Sequence, residues 1–354
     1  MLRDLITSGC VGLLVLGCAT GIDETDGDDG GGGQPPSATF DHRAPIDVGD
    51  APEGTSIELV LPHGGLVLDE KSLASGDDVR VFFDAGSGPV ELDRFLDPAS
   101  RWNAVNTKIW FQVQPGSGSY FLYYGHPEAA DPPADPENVF LLYEGFDAGH
   151  DGWSLDAIGT NAVATSDDTS SGRLALRGRG ADIGGTADSM VFFHRQLEGD
   201  FAVDVGIAGE SSSGGTAKLG GVMMRESLEP DARFSSVLLL NAPSAAPRSF
   251  LDMRRTAQGA AAEENGIGGP VEFPYFMRLF RFGGATSAQY STDGLTYQNI
   301  GGTTALGLSD PVLVGVPYSN ASGADGTLFV EYVRVRRVAA FPEPVATLGA
   351  EEAL

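Results

Sequence analysis

Two arginines stand in runs where a charge is out of place. Arg225 follows Val222, Met223 and Met224, and Arg278 lies between Met277 and Leu279. A guanidinium among apolar side chains must be paired with an acid or hydrogen-bonded to carbonyls. Asp204 is a candidate partner for Arg225. It alternates with Val203 and Val205, and if its strand pairs with the one ending at Arg225, the two charges meet across the sheet. Such an arginine has two roles open to it. The preferred one is an ion pair that fixes strand register; the other is an exposed donor to the hydroxyls or carboxylates of a sugar. Aromatic rings serve the same kind of ligand, because sugar faces stack on them. Trp110 has apolar neighbours and reads as core, whereas Trp102 follows the polar Ala99-Ser100-Arg101 and reads as partly exposed. Trp153 and Tyr290 read first as core and second as platforms. Arg225, Arg278, Tyr290 and Trp153 are thus the candidate ligand-binding residues.

Cleavage of a glycosidic bond needs two carboxylates flanking it. On a strand they can share a face as Glu-x-Asp-x-(x)-Glu, since side chains alternate. Glu91-Leu92-Asp93 and Glu198-Gly199-Asp200 both begin this way, and neither continues to the second Glu. They read as turn and edge residues. Gly-x-Ser-x-Gly, His-Glu-x-x-His and Walker patterns are absent. The five histidines, His42, His63, His126, His150 and His194, include no pair at metal-ligand spacing. No catalytic residue and no cofactor is expected. Asp26, Asp28 and Asp29 are the one place where a structural calcium ion could sit, and their spacing does not fit an EF-hand.

The elements that must carry these residues are strands. The run FMRLFRFGGATSAQYSTDGLTY, residues 276–297, alternates Phe276, Arg278, Phe280 and Phe282 with Met277, Leu279 and Arg281. Gly283-Gly284 supplies the positive φ of a tight hairpin, and Asp293-Gly294 reads as a second two-residue turn. Residues 57–61, 79–83, 108–113 and 120–124 are apolar or alternating runs separated by Gly, Pro, Asp and Ser. From residue 143 onward ten or more such runs recur, with turn signals every 8–15 residues. That spacing predicts an all-β chain: a small β-sandwich followed by a larger sandwich or jelly roll.

Composition narrows the partners. The formal net charge is −27, which excludes a basic footprint for nucleic acid and electrostatic docking on anionic lipid. Both cysteines, Cys10 and Cys18, precede anything that could fold, so no disulfide framework is expected. Residues 11–16 form an apolar run too short to span a bilayer. It ends in Val15-Leu16-Gly17-Cys18, which resembles a bacterial lipobox. The resemblance implies that Cys18 carries lipid as the first mature residue, and that the protein is exported to the cell envelope, at the outer membrane or cell surface. Residues 19–38 hold five acids, no base, a Gly run and Pro35-Pro36, and read as a disordered tether.

Four blocks in order, DDVRVFFDAG (residues 77–86), KIWFQV (108–113), FLYYGHP (121–127) and VFLLYEGFD (139–147), resemble the DUF2341 family. His126 stands where that family usually has Asn. GGVMMRESL (220–228) and PYFMRLFRFGGATSAQYSTDG (274–294) resemble concanavalin-like, laminin-G-like sandwiches of the DUF1349 type, with Tyr275 or Phe276 and Tyr297 where the family has Trp. The implied organisation is a signal peptide at 1–18, a tether at 19–38, a DUF2341-like β domain at 39–142, a concanavalin-like sandwich at 143–341 and a tail at 342–354. By analogy of fold, the expected role is non-catalytic binding of a polysaccharide or glycan. A hydrolase with an unrecognised carboxylate pair and an adhesion protein with a protein partner are the alternatives. A groove with exposed aromatics favours a glycan, and a flat apolar patch favours a protein.

Overall fold

The computed structural model describes residues 39–212, 218–241, 249–268, 272–321 and 323–354. The expected signal peptide, Cys10, Cys18, the tether at 19–38 and its three aspartates lie outside the described residues. The described chain is all-β, with antiparallel sheets, one short α-helix, His63–Leu68, and a 3-10 turn, Pro136–Asn138.

The first β unit is a small sandwich. One sheet runs in the order Thr347–Leu348, His42–Asp47, Ser119–Tyr124, Arg80–Asp84, Pro89–Leu92, with Glu352–Ala353 also paired to His42–Asp47. The other is Ser56–Leu61, Thr107–Gln112 and Phe95–Leu96. Alternating residues from both sheets (Ile57, Leu59, Val81, Ile109, Phe111 and Leu122 among them) fill the space between them. The tail therefore does not stay with the sandwich it follows. It crosses back, bridges Ala346 to Leu59, and completes the first unit's sheet.

The larger sandwich pairs a seven-stranded with an eight-stranded sheet. The seven-stranded order is Glu263–Gly268, Ser249–Arg255, Phe234–Asn241, Lys218–Arg225, Val312–Ser319, Met190–Leu197, Ser154–Ile158. The eight-stranded order is Val163–Asp168, Leu174–Arg179, Gly326–Arg337, Phe201–Ser212, Tyr275–Phe282, Ala285–Ser291, Gln298–Ala305, with Leu142–Glu144 added on Gly326–Arg337. Their inner faces bury Val203, Val205, Val222, Met224, Met277, Leu279, Val314 and Val335. Gly283 and Gly284 do form the expected tight turn, at φ 57° and 79°, with Phe282 opposite Ala285. Asp293-Gly294 does not. Residues 292–297 make a longer loop, because Asp293 Oδ1 accepts from the backbone N–H of Leu295 and Thr296 and holds it open.

One irregularity decides what the outer face carries. Along Gly326–Arg337, Leu328 and Val330 point into the core, and then Val333 and Val335 do. The register against Phe201–Ser212 slips by one residue between Tyr332 and Val330, leaving Glu331 unpaired and exposed. This bulge moves the even positions to the other face. Without it Tyr332, Arg334 and Arg336 would enter the apolar core; with it they face outward, towards the first β unit.

Candidate functional site

The outer face of the eight-stranded sheet carries a polar row. Strand register sets Asn299 opposite Gln289, Gln289 opposite Arg278, Arg278 opposite Asp204 and Asp204 opposite Arg334. The row is buried at its centre, where Asp204 and Arg334 are fully covered, and opens to solvent at the Asn299 end. Asp204 Oδ1 accepts from Arg278 Nε, and Oδ2 accepts from Arg334 Nε at 3.0 Å and Arg336 Nε at 3.1 Å. Burial alone would push this carboxyl up. Arg278, Arg336 and Arg334 outweigh it and hold Asp204 well below the usual carboxylate range.

The first β unit is the lid on this row. Arg334 Nη1 donates to Asp97 Oδ2 at 2.9 Å, and the same oxygen accepts from Trp110 Nε1 at 2.8 Å. The Trp110 ring lies against both guanidiniums, 4.7 Å from Arg334 and 4.9 Å from Arg336. Arg278 lies 3.8 Å over the ring of Tyr297. Lys108 spans the seam, 2.9 Å from Glu58 and donating to the carbonyl of Leu295. Arg336 Nη1 donates to Glu343 on the returning tail.

Where the seam stays open there is a cavity of about 340 Å³. Its walls include Glu58, Trp110, Arg278, Gln289, Asn299 and Arg336, and residues 341–345 close one side. Phe341, 45% exposed, stands edge-to-face against Phe280 at 5.3 Å. Gln289 Nε2 donates to Asn299 Oδ1 at 2.9 Å, while its Oε1 is buried without a partner. Arg336 Nη2 is likewise buried without a partner.

Of the four residues singled out from sequence, only Arg278 reaches this cleft. Arg225 does not meet Asp204, because their strands belong to opposite sheets. It is 0% exposed, donates to Asp188 at 3.1 Å and to the carbonyls of Ser227 and Glu229, and no ligand can touch it. Trp153 is core: it is 9% exposed and stacks on Phe193 at 4.8 Å and 8°. Tyr290 lies opposite Met277 on the core-facing side, packs on Phe250 at 4.3 Å and donates to Gln298. Trp102 is half-buried beneath the Arg94 guanidinium. The carboxylates at 91–93 and 198–200 hold structure: Glu91 pairs with Arg80, Asp93 accepts from the backbone N–H of Asp135, and Asp200 caps the hairpin at Gly283.

A serine and a histidine also meet in the first unit, and their protons run the wrong way for a nucleophile. The Asn103 N–H donates to His63 Nδ1, so the ring proton sits on Nε2 and points at Ser72 Oγ, 3.1 Å away. Ser72 in turn donates to Asp78 at 2.9 Å. Burial lowers the His63 pKa, which keeps this neutral tautomer. Among the described residues, no group of three His, Cys, Asp or Glu is placed to hold a metal ion.

No family model matches the chain, and no curated protein matches it. Among solved structures, it is similar to a functionally unknown protein from Saccharomyces cerevisiae, at 12% identity and TM-score 0.42 over 53% of this chain and 98% of that one. It is similar to a xylan β-1,4-xylosidase from Bacillus halodurans C-125, at 15% identity and TM-score 0.43, over 66% of this chain and 47% of that one, so the chain spans about half the xylosidase's length. It is also similar to the carbohydrate-binding module CBM66 from Bacillus subtilis, at 12% identity and TM-score 0.32 over 56% of this chain and 96% of that one.

Proposed function

We propose that this protein binds a glycan, without cleaving it, in the cleft between its two β units. The observation that carries the reading is a cleft of about 340 Å³ whose wall gathers the polar side chains of Arg278, Gln289, Asn299 and Arg336. A sugar hydroxyl both donates and accepts, so it suits a wall that mixes guanidinium donors with amide acceptors. Phe341 adds an exposed ring at the mouth for an apolar sugar face. The two carboxylates in the cleft wall, Glu58 and Glu343, are both held by cations, Lys108 and Arg336. Neither is left free to serve a leaving group.

Gln289→Ala removes an amide from a half-buried position one strand in from the sheet edge and should leave folding intact. Affinity for the bound polysaccharide should fall about tenfold, the value of one to two hydrogen bonds. Affinity electrophoresis in gels containing soluble polysaccharides, wild type beside variant, measures this. Unchanged retardation would place the glycan elsewhere. In the same reading Cys18 holds the protein at the envelope, and Cys18→Ser should move it from the membrane to the soluble fraction. Continued membrane fractionation, with uptake of a palmitate analogue, would remove the anchor from the proposal.

A further inference from the structure

We infer that the cleft selects an uncharged sugar, and that Glu343 is the residue that enforces the choice. The inference rests on the glycan reading above and names the ligand class. Charge balance at the seam is closed. Arg278, Arg334, Arg336 and Lys108 face Asp204, Asp97, Glu58 and Glu343, four cations against four anions, and each of the eight makes at least one ion pair within the set. An incoming carboxylate or sulfate would be a surplus anion beside Glu58 and Glu343 in the cleft wall, and a charge taken out of water without a counter-charge is costly. Arg336 is the clearest case. Its Nε donates to Asp204 and its Nη1 to Glu343, so its charge is already met by two carboxylates while N–H groups remain for neutral hydroxyls.

Glu343 is the gatekeeper because of where the tail runs. Residues 341–345 pass along the cleft before Ala346 N–H donates to Glu58 O at 3.0 Å and joins the first unit's sheet. The Glu343 carboxylate thus occupies the face of Arg336 that an acidic sugar would need. Removing its charge tips the balance to net positive. Glu58→Gln tips it the same way by releasing Lys108, and it serves as an independent second variant.

The test is affinity electrophoresis of the full-length chain in gels containing neutral polymers (mixed-linkage β-glucan, galactomannan, arabinan) or acidic ones (polygalacturonate, alginate, dextran sulfate). Wild type should be retarded by at least one neutral polymer and by no acidic one. Glu343→Gln should gain about tenfold or more in affinity for polygalacturonate, the value of a new charge-assisted hydrogen bond. Glu58→Gln should gain in the same direction. Wild-type binding to an acidic polymer as tight as to a neutral one overturns the selectivity. Folded Glu343→Gln and Glu58→Gln variants with no gain overturn the role of the closed charge set. If no polymer of either kind retards the wild type, the glycan reading itself fails and takes this inference with it.

Discussion

Asp204→Ala should destabilise the protein by on the order of 5 kcal/mol, at the upper end for breaking a buried ion pair. The substitution removes the one carboxylate that Arg278, Arg334 and Arg336 share. Arg334 keeps Asp97 and Arg336 keeps Glu343, but Arg278 has no other acid in the described structure within ion-pair reach. A loss of this size takes a large share of the stability of an ordinary domain. Arg278→Ala is the internal comparison. It leaves two guanidiniums on Asp204 and should cost less, about 3 kcal/mol. Urea denaturation of wild type and both variants measures the order. Midpoints shifted no further than those of ordinary surface substitutions, about 0.5 kcal/mol, would mean the arginine cluster is solvated after all. The pH dependence has a definite sign. Folding depresses the Asp204 pKa, so its stabilisation is complete above the unfolded value, about pH 4, and is lost progressively as pH falls below it towards the folded value. The wild type should show this acid limb, and Asp204→Ala should show a shallower one, carried by Asp97, Glu226 and Asp293, whose carboxyls folding also holds below their usual range.

Asp188→Ala should come next, at about 3–5 kcal/mol. Its carboxylate holds Arg225 at 3.1 Å and Arg255 at 2.9 Å, and both guanidiniums are fully covered. It also accepts from the Gly184 N–H at 3.0 Å, which ties the loop around Ile183 onto the outer face of the seven-stranded sheet. That face carries Met223, Leu238, Leu251 and Met253 in one apolar cluster with Ile183. Loss of Asp188 therefore strands two cations and loosens the cover over an apolar surface. Urea melts should show the loss, and limited proteolysis should cut the variant near residue 183 before the rest unfolds. A variant that melts with the wild type and resists the protease would show that the carbonyls of Ser227, Glu229, Ala260 and Gly184 suffice for both arginines.

The two substitutions mark where sequence reasoning went right and where it stopped. Asp204 reads as an acid that could meet Arg225; it meets Arg278, Arg334 and Arg336 instead. Which strand lies beside Phe201–Ser212 is a long-range matter, settled by sheet topology and not by any pattern within the strand. Arg278 among apolar neighbours announced a buried, paired charge, and the structure pairs it. Trp153 and Tyr290 carried the right chemistry for a sugar, but residue type does not say which face of a sheet a ring occupies. Gln289 and Asn299 looked like ordinary polar positions of a half-exposed strand. Only their register beside Arg278, under the edge of a second β unit, makes them the wall of a cleft.

By itself the sequence determined the all-β class, the tight turn at Gly283-Gly284 and the alternation that puts Met277 and Leu279 in the core. These depend on local rules: period two, positive φ at glycine, and the cost of burying polar groups. Tertiary structure alone decided the rest. The bulge at Glu331 turns Arg334 and Arg336 outward, the first unit buries them beneath Trp110, and the tail brings Glu343 back to close the charge set. Asp97 and Arg334 are 237 positions apart, and Asp204 and Arg336 are 132 apart. The first contact forms only when the two β units dock, and the second only when Phe201–Ser212 and Gly326–Arg337 pair in one sheet, and no periodicity within any of these segments encodes either meeting.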